Sequence, residues 1–128
     1  MDNRDDYIRY RIERANETYA DAVLLANNGK WNSCVNRLYY ASFYIVSALL
    51  ATKSIDSKTH QGVKTRFFKN FIKDGPLDKS FSILYTELFE RRQEGDYEDF
   101  INYNEETIRP MLPQVEAFIS TIKYLIEK

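Results

Sequence analysis

The sequence predicts an all-α protein: an antiparallel up-and-down helical bundle of four to five helices, forming a single domain over residues 1–128. Two observations predict the class. Apolar residues recur at three- and four-residue steps along almost the whole chain. That is the pattern of helices burying one face, and the alternation of half-buried strands is absent. The stretches that carry it are separated by short polar connections, which join antiparallel neighbours in a bundle.

The first helix passes through Ile8, Ile12, Ala15, Tyr19, Ala22 and Ala26, about 25 residues in all and longer than the usual mean. Asn27-Asn28-Gly29 stops it, and Gly29 suits a left-handed cap. Trp31, Val35, Leu38, Ser42, Ile45 and Leu49 mark the second helix. Ala41, Phe43, Val46 and Leu50 make it apolar on most sides, as a central helix must be. Thr52 to Ser57 reads as a loop. A third helix starts near Ser57 or Thr59, both good N-caps. Val63, Phe67, Phe71 and Ile72 form its stripe, and Asp74-Gly75-Pro76 stops it. Asp78 caps a fourth helix with Phe81, Leu84, Tyr85, Leu88 and Phe89 inward, and Gly95 ends it. Glu98 to Tyr103 is a connection. Asn104 then caps a fifth helix, and Glu105 and Glu106 complement its positive end. Its stripe is Ile108, Met111, Val115, Phe118, Ile119, Ile122 and Ile126. Pro110 and Pro113 each remove an interior hydrogen bond, so a kink or a delayed start is expected there.

Apolar and charged contents of 44% and 29% exclude a disordered or collagen-like chain. The longest apolar run is too short for a bilayer span, and the charged N-terminus has no apolar segment of the signal-peptide kind. The single cysteine, Cys34, forms no intramolecular bridge, so the expected location is the reducing cytoplasm. A net charge of −1 argues against a sequence-independent grip on nucleic acid. The charge is uneven, however. Six cations face one acid, Asp56, between Lys53 and Lys73, and eight acids face two arginines between Glu87 and Glu106. Two solvated faces fit this, and so does a basic groove for RNA or an acidic partner. Ten tyrosines point to half-buried helix seams or an interface.

Two stretches stand out. On a wheel of about 100° per residue, Arg92 falls near the middle of the fourth helix's apolar stripe, with Arg91 toward its edge and Glu87 and Glu90 outward. An arginine beside a buried seam costs free energy unless a polar or anionic group meets it. Either the two arginines complement the negative helix end, with Arg92 paired to Asp96, or they make a fork for phosphate or carboxylate at the mouth of a groove. In the second helix Asn36, Tyr40 and Ser47 share one side, and Arg37, Tyr40 and Tyr44 are three- and four-residue neighbours. A polar network between helices fits them, as does a surface that stacks and hydrogen-bonds a base. His60, the single histidine, opens the third helix and reads as structural or capping; one histidine builds no multi-histidine metal site, and no metal is expected. Cys34 reads as core packing. There is no phosphate loop, dinucleotide fingerprint or serine elbow, and no cofactor is expected.

With these residues in view, the chain resembles the HEPN family (higher eukaryotes and prokaryotes nucleotide-binding domains), and among them the small stand-alone prokaryotic members. The resemblance covers nearly the whole chain. It is carried by Ala20-Asp21-Ala22-Val23-Leu24-Leu25 in the first helix and by Asn36-Arg37-x-Tyr39-Tyr40-Ala41-x-Phe43 in the second. It continues in Lys58-Thr59-His60-x-Gly62-Val63 and in Arg92-x-x-x-Asp96-Tyr97. It implies an up-down bundle that often dimerises, with an arginine-lined cleft at the dimer seam. Many members are metal-independent ribonucleases, toxins of toxin–antitoxin pairs among them, and many small members are encoded beside a minimal nucleotidyltransferase. The ribonucleases carry a histidine shortly after the arginine. Here that window holds Tyr97, Glu98 and Asp99, and a tyrosine of pKa about 10 is a poor base near neutrality.

Three functions follow as expectations. The leading one is a homodimeric, cytoplasmic component of a toxin–antitoxin-like pair with a nucleotidyltransferase. It would bind nucleotide or RNA phosphate at Arg91, Arg92 and Asp96, with Asn36, Arg37 and Tyr40 lining or bracing the cleft and no membrane contact. The second is a metal-independent RNA-cleaving toxin in which Arg92 stabilises the phosphorane charge and His60 or Tyr97 handles the proton. The third is a purely structural dimerisation module whose arginines bind carboxylates of the same chain.

Overall fold

A computed structural model describes residues 3–97 and 101–128, with the side chains of 95–97 left aside. The helices are α1 (Asn3–Asn27), α2 (Trp31–Thr52), α3 (His60–Phe67), α4 (Lys79–Tyr97), α5 (Glu105–Ile108) and α6 (Met111–Glu127), with a π-helical turn, Phe68–Lys73, continuing α3. Among the described residues no helix is long and apolar enough to cross a membrane.

α1 and α2 form a long hairpin. Gly29 closes it at φ +70°, a conformation that glycine adopts without the Cβ penalty. Its N–H reaches the Ala26 carbonyl at 3.0 Å while the Lys30 N–H reaches Leu25 at 2.9 Å, the paired bonds of a Schellman cap. The buried face of α1 is Ala15, Thr18, Ala22 and Ala26. Such small side chains let α2 approach closely. α2 is the central helix, packed against α1, α4 and α6, and Cys34 lies buried within it as expected.

Local caps are where the sequence places them. The Thr59 side chain accepts from the Gly62 N–H at 2.9 Å, Asp78 from the Ser80 N–H at 2.9 Å, and Asn104 from the Thr107 N–H at 2.9 Å. The expected disturbance at the prolines is a full break: α5 ends at Ile108, and α6 starts at Met111 directly after Pro110. Pro113 falls in the first turn of α6, where its missing N–H has no partner to lose.

Two expectations need correction. α4 does not end at Gly95; it continues to Tyr97. A helical glycine costs only about 1 kcal/mol relative to alanine, too little to end a helix by itself. The third helix is not uniformly α-helical, because its last six residues widen into the π turn. Val63, Phe67 and Phe71 are nonetheless buried as expected.

Candidate functional site

The site forms where α2, the start of α3 and the end of α4 meet. Leu88 and Phe89 are buried, and Arg92 continues their stripe into the seam. It is only 7% exposed. Its guanidinium carbon sits 5.0 Å from the centre of the Tyr39 ring and 5.9 Å from that of Phe89. A desolvated guanidinium over ring faces gains about 0.5–2 kcal/mol. Arg92 thus projects into a crevice between helices, as the wheel predicts.

Tyr39 is the hub. Its hydroxyl lies 2.7 Å from Nδ1 of His60. Burial pushes this phenol up to about 12, with the Tyr85 and Arg92 side chains pulling weakly the other way. The hydroxyl and Nδ1 share this one hydrogen bond, whose direction follows the imidazole tautomer, and Nε2 lies on the opposite edge of the ring. His60 is half-buried, its ring 4.7 Å from Phe43 and 5.8 Å from Tyr40. It does not cap α3, since Thr59 does that. Gly62 belongs to this corner as well: a Cβ there would collide with the Ser57 hydroxyl and stand 2.8 Å from that of Thr59.

Arg37 and Asn36 continue the cluster outward. Arg37 donates to the Asn36 side-chain oxygen from Nε at 3.1 Å and from Nη2 at 2.7 Å, and its guanidinium carbon lies 5.1 Å from the Tyr40 ring centre. Ser47 takes no part: its hydroxyl donates to the Phe43 carbonyl of its own helix at 2.8 Å. The expected side shared by Asn36, Tyr40 and Ser47 is therefore not one polar network between helices. A serine in a helix can satisfy itself on the preceding turn.

Arg91 sits apart from Arg92. It pairs with Glu87 at 2.9 Å and lies over Tyr103, 5.5 Å from the ring centre. The Tyr103 hydroxyl in turn donates to the Arg91 carbonyl at 3.0 Å. The structure thus brings Arg92, His60, Tyr40, Arg37 and Asn36 into one chain of contacts through Tyr39 and assigns Arg91 to a neighbouring ion pair. The side chains of Asp96 and Tyr97, and with them the Arg92–Asp96 pair, lie outside those described. Tyr39 belongs to the motif that carries the resemblance but is absent from the candidate site residues. Its spacing of four from Val35 would have placed it on the inner face, but its neighbour Tyr40 carries the same motif chemistry. Two surface clefts, of about 330 Å³ by Tyr7 and Ser47 and about 450 Å³ by Leu84 and Phe118, are not lined by Tyr39, His60 or Arg92.

The sequence profile described as the HEPN domain matches residues 8–125. The chain belongs to the HEPN family. A "UPF0332 protein" of Thermotoga maritima is 39% identical over 99% of this chain and 96% of its own length. Two proteins of Methanocaldococcus jannaschii, each named "putative toxin", are similar as well. One is 37% identical over 91% of this chain and 80% of its own length, the other 30% identical over 98% and 95%. The all-α bundle is the fold that the resemblance to HEPN proteins implies. Within this HEPN chain the arginine lies on α4 and the histidine at the start of α3, and both pack on Tyr39.

Proposed function

We propose that this HEPN protein is a toxin-like, homodimeric component of a cytoplasmic pair with a nucleotidyltransferase. It binds nucleotide or RNA phosphate at the Arg92–Tyr39–His60 cluster, with Arg37, Asn36 and Tyr40 at the rim. The observation that carries the reading is the shared packing of Arg92 and His60 on Tyr39, at 5.0 and 2.7 Å. A cation held on a ring face and an imidazole whose Nε2 edge is turned away from its phenol partner are two groups suited to meeting phosphate oxygens. The names of the archaeal relatives support the toxin-like role.

The test is a titration of the full chain with AMP and ATP, alongside Arg92→Met, which keeps an unbranched apolar stem in the seam and removes the guanidinium. Nucleotide binding should fall at least tenfold with the melting temperature little changed. Equal binding by the variant would sink the reading. Native mass measurement should give a dimer, and co-expression with a nucleotidyltransferase encoded in the adjacent reading frame should give a stable complex.

The placement of His60 favours a second reading, a metal-independent ribonuclease. Arg92 would stabilise the developing phosphorane charge and His60 would handle the proton. Incubation with RNA in chelator separates the two. Cleavage abolished by Arg92→Met and by His60→Gln promotes this reading, and intact RNA after long incubation removes it.

A further inference from the structure

Beyond the cluster, arginines and tyrosines alternate along one surface of α1 and α2. Tyr40 lies 6.1 Å from Tyr44 between ring centres. Over Tyr44 sit two guanidinium carbons from α1, Arg11 at 5.1 Å and Arg14 at 5.3 Å. Arg11 also faces Tyr7 at 5.2 Å and Tyr10 at 6.0 Å. The track therefore runs unbroken from His60 and Arg37, through Tyr40 and Tyr44, to Tyr7 and Tyr10. These last two rings are 42% and 54% exposed.

Two of the three arginines on this track meet no carboxylate among the described residues. Arg11 donates to the Tyr7 hydroxyl at 3.1 Å and Arg37 to the Asn36 amide oxygen, both neutral groups. Among the described residues neither meets a carboxylate, and only Arg14 does, Glu17 at 3.2 Å. On the α1 wheel Tyr7, Tyr10, Arg11 and Arg14 share a flank, and Asp5 and Glu13 fall on other sides. Asp6 and Glu17 border it, paired with Arg9 at 3.9 Å and with Arg14, and Asp21 lies two turns beyond Arg14. Stacked rings beside guanidiniums free to meet phosphate are the elements of a single-strand platform. A duplex keeps its base faces stacked and cannot use them.

We propose that this track binds a single-stranded polynucleotide, leading one strand across α1 and α2 to the His60 end. The proposal rests on the phosphate-binding reading of that end. It extends the site from one nucleotide to several, with Tyr7, Tyr10 and Tyr44 stacking bases and Arg11, Arg14 and Arg37 meeting the backbone.

The test uses fluorescence anisotropy of the full chain with labelled oligoadenylate RNA of about 12 nucleotides, its DNA counterpart, and a duplex of equal length. AMP is titrated separately. The single strands should bind and the duplex should not; the RNA-to-DNA ratio identifies the natural source. Three arginines predict a log–log salt slope of about −2, made shallower by about 0.7 in Arg11→Gln. Tyr10→Ala should weaken the oligomer about tenfold and leave AMP unchanged. Oligomer binding that is absent, or equal in wild type and both variants, overturns the proposal. Loss in Arg92→Met alone keeps the phosphate reading and overturns the track. Loss in the α1 variants with Arg92→Met unaffected keeps the track and removes the phosphate reading. A switch from dimer to monomer in Arg11→Gln without a change in oligomer affinity also overturns it, and assigns the face to contact between copies.

Discussion

The phenol of Tyr39 and the imidazole of His60 are joined at 2.7 Å, although one residue lies mid-way along the central helix and the other opens the next. This bond fixes the imidazole at the edge of the Arg92 cluster. Tyr39→Phe keeps the packed ring and deletes the bond. The expected cost is about 1 kcal/mol of stability, together with changed chemical shifts of the His60 ring in NMR spectra. A His60 signal unaltered by the substitution would show that the phenol does not hold the ring.

Tyr85 presents the opposite case. Its side chain is fully buried, and its hydroxyl makes no well-aligned hydrogen bond among the described residues. The hydroxyl of Tyr39 is its polar neighbour and, beside its bond to His60, keeps a lone pair for a weak contact with it. Burial therefore drives the Tyr85 phenol well above its ordinary value. Removing a buried hydroxyl with so weak a partner costs little, so Tyr85→Phe should change stability by less than about 1 kcal/mol. Chemical denaturation measures it, and a loss of more than about 1 kcal/mol would contradict the assignment.

Alkaline pH should unfold the bundle in a definite window. Tyr39 and Tyr103 are each pushed up to about 12, chiefly by burial, with Glu94 adding to the effect at Tyr103. An unfolded tyrosine titrates near 10. Between these values the unfolded chain has released protons that the folded chain still holds. Stability is thus complete below pH of about 10 and is lost as pH rises through about 12. For Tyr39 alone the loss is on the order of 2 kcal/mol. Urea midpoints should fall across this window, by less in Tyr39→Phe. A midpoint independent of pH there would count against the burial argument.

Cys34 should be inert until the chain opens. It is fully buried, and burial pushes its thiol up to about 11. Both access and thiolate content are then low near neutrality. Labelling by a thiol reagent should proceed at the rate of unfolding and accelerate sharply in urea. Rapid modification of the native protein would contradict the packing of α2.

Much of this fold is legible in the sequence because its signals are local. Gly29, Thr59, Asp78 and Asn104 act on backbone groups within a few positions of themselves, and Pro110 interrupts its own helix. Arg92 is readable too, since one helical wheel places it in the seam. The continuation of α4 past Gly95 is not readable because a single glycine is too weak a stop, and the π turn after Phe67 carries no local signal of its own. The part played by Tyr39 is hidden for a different reason. Tyr39 and Tyr40 offer the same chemistry in sequence, and only the docking of α3 and α4 decides which phenol receives His60 and which ring receives Arg92.

The hub, its imidazole and its guanidinium come from positions 39, 60 and 92 of the chain. The long α1–α2 hairpin needs only neighbouring segments and can form early, since local contacts close fastest. On a translating ribosome, Tyr39 is in place long before Arg92 has been synthesised. The chain thus stays without a complete cluster until α4 has emerged and docked, so anything that needs Arg92 beside Tyr39 waits for the later part of synthesis.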